Sequence, residues 1–451
     1  MNPLTSPLLT DLYHLNMIQA YLDHGDTGTA VFEFFVRKLP APRGFLMVAG
    51  LEQALNFLET LHFTAEEIDW LTRTHRFERN LLDQLASFRF TGDVHAIPEG
   101  RIFFANEPIL RVTAPMPQAQ LAETRLINIL HFQSLIASKA ARMVLAAPGK
   151  LLVDFGLRRA HGAEAGLMAA RASYIAGFSG TATTLAEHDF GIPAYGTMAH
   201  SFIESYDSES AAFESFARSR PENLTLLLDT YDTETAARRV VALAPRLAAR
   251  GTKIKAVRLD SGDLIALSQR VRQILDRGGL SDIAIFASGG LDEDNVREMI
   301  KAGAPIDGFG IGTSLTTSSD VPALDCAYKL QEYAGIARRK RSAGKATWPG
   351  RKQVWRRYGP DGCMAGDVLS LETDTQVGER LLVPVMREGR RTKPGPSLSD
   401  IRAIAAHDLE RLPQALRDLV PKAHYPVAVA DALVHLAAEV DERIAKSESE
   451  P

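Results

Sequence analysis

The chain has 451 residues, of which 45% are hydrophobic and 24% are charged, the ordinary balance of a globular protein. This length is enough for two or three domains with hydrophobic cores of full size. The formal net charge of -4 argues against a nucleic-acid-binding protein, because such proteins usually present a strongly basic face.

Cys326 and Cys363 are the two cysteines, and they are too isolated in sequence to form a zinc site. Isolated thiols are typical of a protein in a reducing cytoplasm. No stretch approaches the roughly 20 apolar residues of a membrane helix. Residues 1–22 include Asp11 and lack the apolar run of a secretory signal. We therefore expect a cytoplasmic protein with neither membrane nor nucleic-acid partners.

Residues 1–120 predict an N-terminal α+β domain. Apolar residues recur at helical spacing from Leu8 to Tyr21. Ala30–Leu39 and Gly92–Val112 are rich in β-branched and aromatic residues interrupted by glycine or proline, as short strands are. The next segment, residues 121–147, has neither proline nor glycine and predicts one long helix.

Residues 121–335 predict a barrel domain in which strands alternate with helices. Helical stretches such as Thr233–Arg250 and Leu264–Arg277 separate short runs that are apolar throughout, as strands buried on both faces of a parallel sheet are. The runs are LLVDFG (151–156), IPAYG (192–196), LTLLLD (224–229), IKAVRLD (254–260), IAIFASGG (283–290) and IDGFGIG (306–312). A doubly wound sheet is the alternative, but glycine-rich ends on the last two strands favour the barrel.

The pattern changes again in residues 336–451, which we expect to complete the N-terminal domain. The basic segment Arg338–Arg357 is either a solvated pair of strands or a loop that faces a nucleotide or pyrophosphate. Residues 396–445 predict one or two helices. The expected fold class is therefore α/β, an irregular (β/α) barrel with an N-terminal α+β domain and C-terminal helical and strand additions.

Two glycine-rich strand ends form a candidate phosphate site. In barrels of this type the loops after the last two strands often bind phosphate, and backbone amides approach it closely where glycine has no Cβ. The alternative is that these glycines only permit tight turns. The candidate phosphate-binding residues are Ser288, Gly289, Gly290, Gly310, Gly312 and Thr313.

Charged residues follow three other strands and converge on the same edge of the barrel. Carboxylates there can hold Mg²⁺ or ribose hydroxyls, and arginines can grip phosphates or a carboxylate. Helix N-capping is the alternative for each aspartate, above all for Asp263. These residues are Asp154, Arg158, Arg159, Asp229, Asp232, Arg258, Asp260 and Asp263.

His200 follows the IPAYG run by a few residues and lies on the same edge. No HExxH motif or clustered His/Asp pair supports a zinc site. The residues leave two roles open, those of a base and of a phosphate acceptor.

Taken together, ten segments between Leu8 and Arg357 resemble the nicotinate phosphoribosyltransferase family. Any one of them is a weak signal, but their order along the chain matches that of the family. They are LLTDLYHLNM, FEFFVRKLP, LINILHFQSLIASKAARM, DFGLRRAHG, YGTMAHSF, LLLDTYDT, VRLDSGDL, FASGGLDED, DGFGIGTSL and GKATWPGRKQVWR.

The resemblance implies a type II phosphoribosyltransferase that uses nicotinate, PRPP, ATP and Mg²⁺ and works as a homodimer with composite active sites. It implies that ATP phosphorylates His200. It also implies that Phe155 and Tyr13 of the partner subunit sandwich the pyridine ring. Arg158 would lie beside the base and the phosphates, whereas Arg258 and Asp260 would hold the ribose. The family identifies no metal ligands here.

The resemblance also bears on the choice between the acid and the amide of the substrate. Relatives that use nicotinamide carry an aspartate near the amide, where this chain has Ala182. An acid there would repel the carboxylate of nicotinate. The hydroxyl of Thr181 and the extra Arg159 also favour nicotinate.

Three other functions are alternatives to a nicotinate phosphoribosyltransferase. A nicotinamide or quinolinate phosphoribosyltransferase is the nearest alternative, and a non-catalytic regulator that binds PRPP or a nucleotide comes from a different class. A barrel aldolase would need a lysine at the end of a strand, whereas Lys253 and Lys255 lie at the beginning of theirs.

Overall fold

The computed structural model describes residues 5–449 of the chain. Its first segment contains most of the helices and strands expected before residue 147. The elements are α1 (Leu12–His24), β1 (Thr29–Val36), β2 (Leu46–Met47), α2 (Leu51–Thr60), α3 (Ala65–Arg73), α4 (Arg79–Ala86), β3 (Asp93–Ala96), β4 (Ile102–Phe103), β5 (Pro108–Pro115), α5 (Met116–Leu121) and α6 (Glu123–Ala146).

The middle segment alternates strands and helices. Its elements are β6 (Leu151–Asp154), a short 3-10 helix (Leu157–Arg159), α7 (Ala163–Ala176), β7 (Gly180–Thr181), α8 (Thr184–Phe190), α9 (His200–Glu204), α10 (Glu209–Ser219), β8 (Leu224–Leu227), α11 (Thr233–Ala248), β9 (Ile254–Leu259), α12 (Leu264–Arg277), β10 (Ala284–Ser288), α13 (Glu293–Lys301), β11 (Gly308–Ile311) and α14 (Thr313–Thr316).

The last segment is richer in strands than its sequence pattern indicates. Its elements are β12 (Cys326–Tyr333), β13 (Ile336–Ala337), β14 (Lys352–Tyr358), β15 (Met364–Leu371), β16 (Glu379–Arg380), β17 (Val383–Arg387), β18 (Arg390–Arg391), α15 (Leu398–Glu410), α16 (Gln414–Arg417), β19 (Val427–Val429) and α17 (Asp431–Ser449).

The chain forms two compact units. The first joins the residues up to Ser138 to those from Ala323 onward, and the second is Lys139–Pro322. The sequence pattern placed these boundaries at residues 120 and 335 instead. The structural boundaries differ because the first of them falls inside α6, which begins at Glu123, and because β12 pairs with β1 inside the first unit.

The first unit is built around a seven-stranded antiparallel sheet with the order β13-β12-β1-β5-β3-β17-β18. Every residue of β1 from Ala30 to Val36 is buried, so both faces of the sheet are covered at its centre. Strands from the C-terminal segment flank this centre on both sides. Part of the basic segment Arg338–Arg357 is buried rather than solvated, because β14 packs Lys352 and Arg356 into the interior.

The second unit contains a curled sheet of six parallel strands in the order β7-β6-β11-β10-β9-β8. It forms a half-barrel, which confirms the predicted α/β class. Val153, Val257, Ile285 and Phe309 are buried within it, as expected for strands covered on both faces.

One strand prediction in this unit is wrong. The IPAYG run makes a single bridge, from Ala194 to Thr181, and is not a strand. Pro193 has no backbone N–H to donate, and the residues from Pro193 to Gly196 are exposed beyond the edge strand β7. In the part of the chain that the structure describes, no helix combines the length and apolar character needed to cross a bilayer.

Candidate active site

A cavity of about 390 Å³ lies at the carboxyl edge of the parallel sheet. Its walls come from the turn after β6, the residue after β7, the segment leading into α9 and the end of β9. The lining residues are Phe155, Leu157, Arg158, Ala182, Tyr195, Gly196, Thr197, Met198, Ala199, His200, Arg258 and Asp260. The parallel strands therefore bring several predicted site residues to one place.

Arg258 is the most constrained of these residues. Its Nε donates to Ser288 Oγ at 2.8 Å, and its Nη2 donates to Asp260 Oδ1 at 2.6 Å. Nη1 reaches Thr197 Oγ1 at 3.3 Å and the carbonyl oxygen of Met198 at 3.4 Å. The planar guanidinium thus joins two neighbouring strands to the segment before α9, which a flexible ammonium could not do.

Asp260 is the acid that faces this guanidinium. Burial alone would raise the pKa of Asp260, but hydrogen bonds from Ser288 and Arg258, with the nearby charges of Arg258 and His200, hold it below its usual value. Asp260 is therefore a carboxylate near neutral pH and can accept hydroxyl hydrogen bonds or contribute to cation binding.

His200 begins α9 and faces an aspartate from the neighbouring loop. Its Nε2 lies 3.4 Å from Asp229 Oδ1, a buried oxygen without a hydrogen-bond partner among the described residues. The other oxygen, Oδ2, accepts from the Asp260 backbone N–H at 3.2 Å and from Ser261 Oγ at 2.5 Å. The fixed carboxylate therefore lies within ion-pair distance of one ring nitrogen of His200, Nε2.

Asp154 holds in place two of the turns that form the cavity. It is fully buried at the end of β6, where its carboxylate accepts from the Gly156 backbone N–H at 2.8 Å and from Thr181 Oγ1 at 2.7 Å. The two bonds fix the turns after β6 and β7. Thr181 was predicted to bind substrate, but it is fully buried and its hydroxyl is used by Asp154, so its neighbour Ala182 lines the cavity instead.

Asp154 should also leave a signature in the pH dependence of stability. Burial raises the pKa of Asp154 to about 6, against the lowering effect of the bonds from Thr181 and Gly156. Between pH 4 and 6 the folded state therefore holds a proton that the unfolded state has released, so this group costs stability as the pH rises. The pKa difference corresponds to about 3 kcal/mol.

We expect Asp154→Asn, which keeps the size of the side chain without its titration, to gain stability relative to the wild type as the pH rises from 4 to 7. The difference between the urea unfolding midpoints of the two proteins, followed over this interval, measures the effect. A constant difference would contradict the assignment.

Phe155 forms one wall of the cavity, and Gly310 makes room for it. A Cβ on Gly310 would lie 2.5 Å from the Phe155 ring. Gly310 was predicted to receive a phosphate, but it is buried inside β11 and serves to seat this ring. The guanidinium carbon of Arg258 lies 5.5 Å from the ring centroid, close enough for a cation–π contact.

The turn after β10 is exposed and has the backbone geometry that the predicted phosphate site requires. Gly289 has φ +95°, and a Cβ there would lie 1.8 Å from the carbonyl oxygen of Asp260, so only glycine fits. Gly289 and Gly290 are exposed, as is Thr313 after β11, while Gly312 is half-buried. Ser288 is buried and holds Arg258, so its hydroxyl supports the site rather than facing a phosphate.

Asp232, Asp263 and Tyr13 are among the predicted residues that do not line the cavity. Asp232 and Asp263 accept hydrogen bonds from the backbone N–H groups of Thr235 and Ala266 respectively. Both therefore cap helices, which was the alternative interpretation of these aspartates in the sequence. Tyr13 lies on α1 in the first unit with an exposed ring. Burial, followed by the charges of Glu123 and Asp11, raises the pKa of Tyr13 to about 12, so its hydroxyl remains protonated.

The sequence pattern missed the contributions of Thr197, Met198 and Ser261. The first two contact Arg258 through a hydroxyl and a backbone carbonyl, and Ser261 holds Asp229. The only available signal was position, since Thr197 and Met198 precede His200 and Ser261 follows Asp260.

The site combines arginines, an imidazole beside a carboxylate and exposed glycine turns at one edge of a parallel sheet. These are the groups that an α/β transferase acting on a sugar phosphate needs. Within that class, the chain belongs to the nicotinate phosphoribosyltransferase family. Three family models match it: the nicotinate phosphoribosyltransferase N-terminal domain over residues 8–131, the nicotinate phosphoribosyltransferase family over residues 151–340, and the C-terminal domain over residues 373–437.

Relatives match the chain over nearly its whole length. Nicotinate phosphoribosyltransferase pncB2 of Mycobacterium tuberculosis is 49% identical over 429 residues, covering 95% of this chain and 92% of that protein. The nicotinate phosphoribosyltransferase of Bacillus subtilis is 34% identical over 457 residues, covering 94% of this chain and 93% of that protein.

Solved structures share the fold. Human nicotinic acid phosphoribosyltransferase superposes with a TM-score of 0.86 at 28% identity, over 96% of this chain and 99% of that one. A nicotinate-nucleotide pyrophosphorylase from Pyrococcus furiosus gives a TM-score of 0.74 at 26% identity, over 90% of this chain and 96% of that one. The family prediction made from ten sequence segments is thereby confirmed.

Proposed function

We propose that this enzyme joins nicotinate to the ribose 5-phosphate of PRPP, giving nicotinate mononucleotide and pyrophosphate, a step of NAD synthesis. The observation that supports this proposal most directly is the fixed position of Arg258 between the Phe155 ring and the turn at Gly289. A pyridine ring stacked on Phe155 and a phosphate at the glycine turn would place the reacting ribose beside this arginine and Asp260.

The chemistry needs positioning more than proton transfer. The lone pair of the pyridine nitrogen forms the new bond to ribose C1 as the bond from C1 to the pyrophosphate oxygen breaks through a cationic state. The nitrogen carries no proton, so no general base is required. Arg158 and Arg258 supply positive charge for the leaving pyrophosphate, and Asp260 can accept from a ribose hydroxyl.

Mg²⁺ fits this site as a cation brought largely by the substrate. Among residues 5–449, no group of three or more His, Cys, Asp or Glu side chains could hold a metal alone. Mg²⁺ commonly takes one or two carboxylates with substrate phosphates and water. Asp260, which lines the cavity, is the carboxylate that would contribute. When bound, the ion would neutralise the departing pyrophosphate.

ATP would act through His200. The imidazole attacks the γ-phosphorus of ATP, an N–P bond forms, and the bond to the ADP oxygen breaks. Water later hydrolyses the phosphohistidine to inorganic phosphate. The added charge of about −1.5 to −2 beside Arg258 can reorganise the segment before α9. We further propose a homodimer in which Tyr13 of the partner subunit covers the pyridine ring, and a cytoplasmic location.

The cavity favours the acid substrate over the amide. Ala182 lines it where an aspartate would repel a carboxylate, and Arg158 lines it with a positive charge. Arg159 and Thr181, which were predicted to favour nicotinate, do not line the cavity. We therefore assign recognition of the nicotinate carboxylate to Arg158.

We expect Ala182→Asp to lower kcat/KM for nicotinate by about 100-fold, because like charges that meet in a desolvated site cost several kcal/mol. The activity on nicotinamide should not fall in parallel. Ala182→Asn is the matched control, since it adds the same bulk without charge. Equal losses in the two variants would show that size, not charge, selects the substrate.

The proposed function is tested by supplying the purified protein with nicotinate, PRPP and Mg²⁺, with and without ATP, and measuring the mononucleotide and pyrophosphate. Radiolabelled nicotinamide and quinolinate distinguish the nearest alternatives. Binding of PRPP without release of pyrophosphate from any of the three would instead indicate a regulator.

A further inference from the structure

Behind the candidate phosphate site lies a buried cluster of charges that the proposed chemistry does not use. Lys139 of α6 is 1% exposed, and its Nζ lies 2.5 Å from Glu293 Oε2 and 2.8 Å from Asp320 Oδ1. Arg142, one turn further along α6, donates from Nε to Glu293 Oε1 at 3.1 Å. All four residues belong to the second unit.

Each of the two acids lies in a segment that follows one of the phosphate-site turns. Glu293 is the first residue of α13, directly after the turn at Gly289 and Gly290. Asp320 follows α14, the short helix that begins after Gly312. One lysine therefore ties together the segments that follow both phosphate-site turns.

Stability alone does not account for this arrangement. Removing charges from water is costly, and buried ion pairs are often replaceable by apolar residues without loss of stability. Burial by itself would raise the pKa of Glu293, but the charges of Lys139 and Arg142 hold it below its usual value. Glu293 is therefore a carboxylate, and the bonds from Lys139 to Glu293 and Asp320 link the two loops.

We propose that Lys139 is a positioning residue that sets the separation of the Gly289 and Gly312 turns and so determines affinity for the 5-phosphate of PRPP. This inference rests on the proposed function. Lys139 does not line the cavity that holds Phe155 and Arg258, so its effect should be confined to the phosphate end.

The test compares Lys139→Met, which keeps the length of the side chain, with Lys139→Arg, which keeps the charge. Because displacements of about 1 Å can cost about 100-fold, we expect KM for PRPP to rise about 10- to 100-fold in Lys139→Met, with KM for nicotinate little changed. Ki for inorganic phosphate should rise in parallel. Lys139→Arg should recover most of both.

Lys352→Met is the matched control. Lys352 is also buried and paired with an acid, Glu33 at 2.8 Å, but it belongs to the first unit. It should lower the thermal midpoint without selectively raising KM for PRPP. Equal effects of the two methionine variants on KM would overturn the positioning role.

A second variant covers the case in which Lys139→Met does not fold. Asp320→Asn removes one arm of the cluster at its most solvent-exposed member and should raise KM for PRPP in the same direction by a smaller factor. Unchanged KM and Ki there would overturn the proposal. If the wild type makes no mononucleotide, the proposed function fails, and calorimetry of ribose 5-phosphate binding still tests Lys139.

Discussion

Replacing Arg258 by alanine is expected to lower kcat/KM for PRPP by about 1000-fold, the upper range for loss of one preorganised donor in a closed site. The guanidinium bonds to Ser288, Asp260, Thr197 and the Met198 carbonyl. Its loss removes positive charge beside the Phe155 ring and leaves Asp260 as an acid without its cation. Steady-state kinetics with PRPP as the varied substrate measure the effect.

Lysine should restore little of this activity. An ammonium on a flexible stem is a point charge and cannot reproduce the planar set of donors that joins β9, β10 and the segment before α9. Arg270→Ala is the control, because Arg270 is an exposed arginine of the same unit that pairs with Glu234 at 3.1 Å. Arg270→Ala should behave like the wild type. Near-normal activity of Arg258→Lys would show that charge alone matters at this position.

The buried strands of the second unit were the part of the fold that the sequence predicted best. Most residues of β8 are buried, as its apolar run predicted, and helix α12 was predicted with both its ends, Leu264 and Arg277. Strand β7 could not be predicted, because its two residues carry no periodicity. Its place in the sheet is set by pairing with β6.

The site was predictable where chain position decided it. Arg258 and Asp260 lie at the end of β9, and they share one cavity with His200, although the run before His200 is not a strand. Gly310 could not be interpreted in this way, because its role depends on a ring from a neighbouring strand, Phe155, which only packing reveals.

The same limit applies to the acids after β8. Asp229 and Asp232 are three residues apart, and Asp229 is the one that was predicted to bind substrate. Only the structure shows that Asp232 caps α11 whereas Asp229 faces His200.

Replacing His200 by alanine should abolish the stimulation by ATP and leave a slow transfer that does not depend on ATP. Alanine has no nitrogen to accept the γ-phosphoryl group, whereas the groups that hold the ribose and pyrophosphate remain. Measuring mononucleotide formation and ADP release in parallel separates the two activities, and acid-labile ³²P from labelled ATP should be found on the wild type alone.

His188→Ala provides the control for this result. His188 is an exposed histidine of the same unit that pairs with Asp189 at 2.6 Å, and its loss should leave ATP stimulation and labelling intact. His200 is the proposed nucleophile, and the Asp229 carboxylate lies 3.4 Å from its Nε2. ATP-dependent turnover that survives in His200→Ala would place the phosphoryl acceptor elsewhere and separate ATP use from this imidazole.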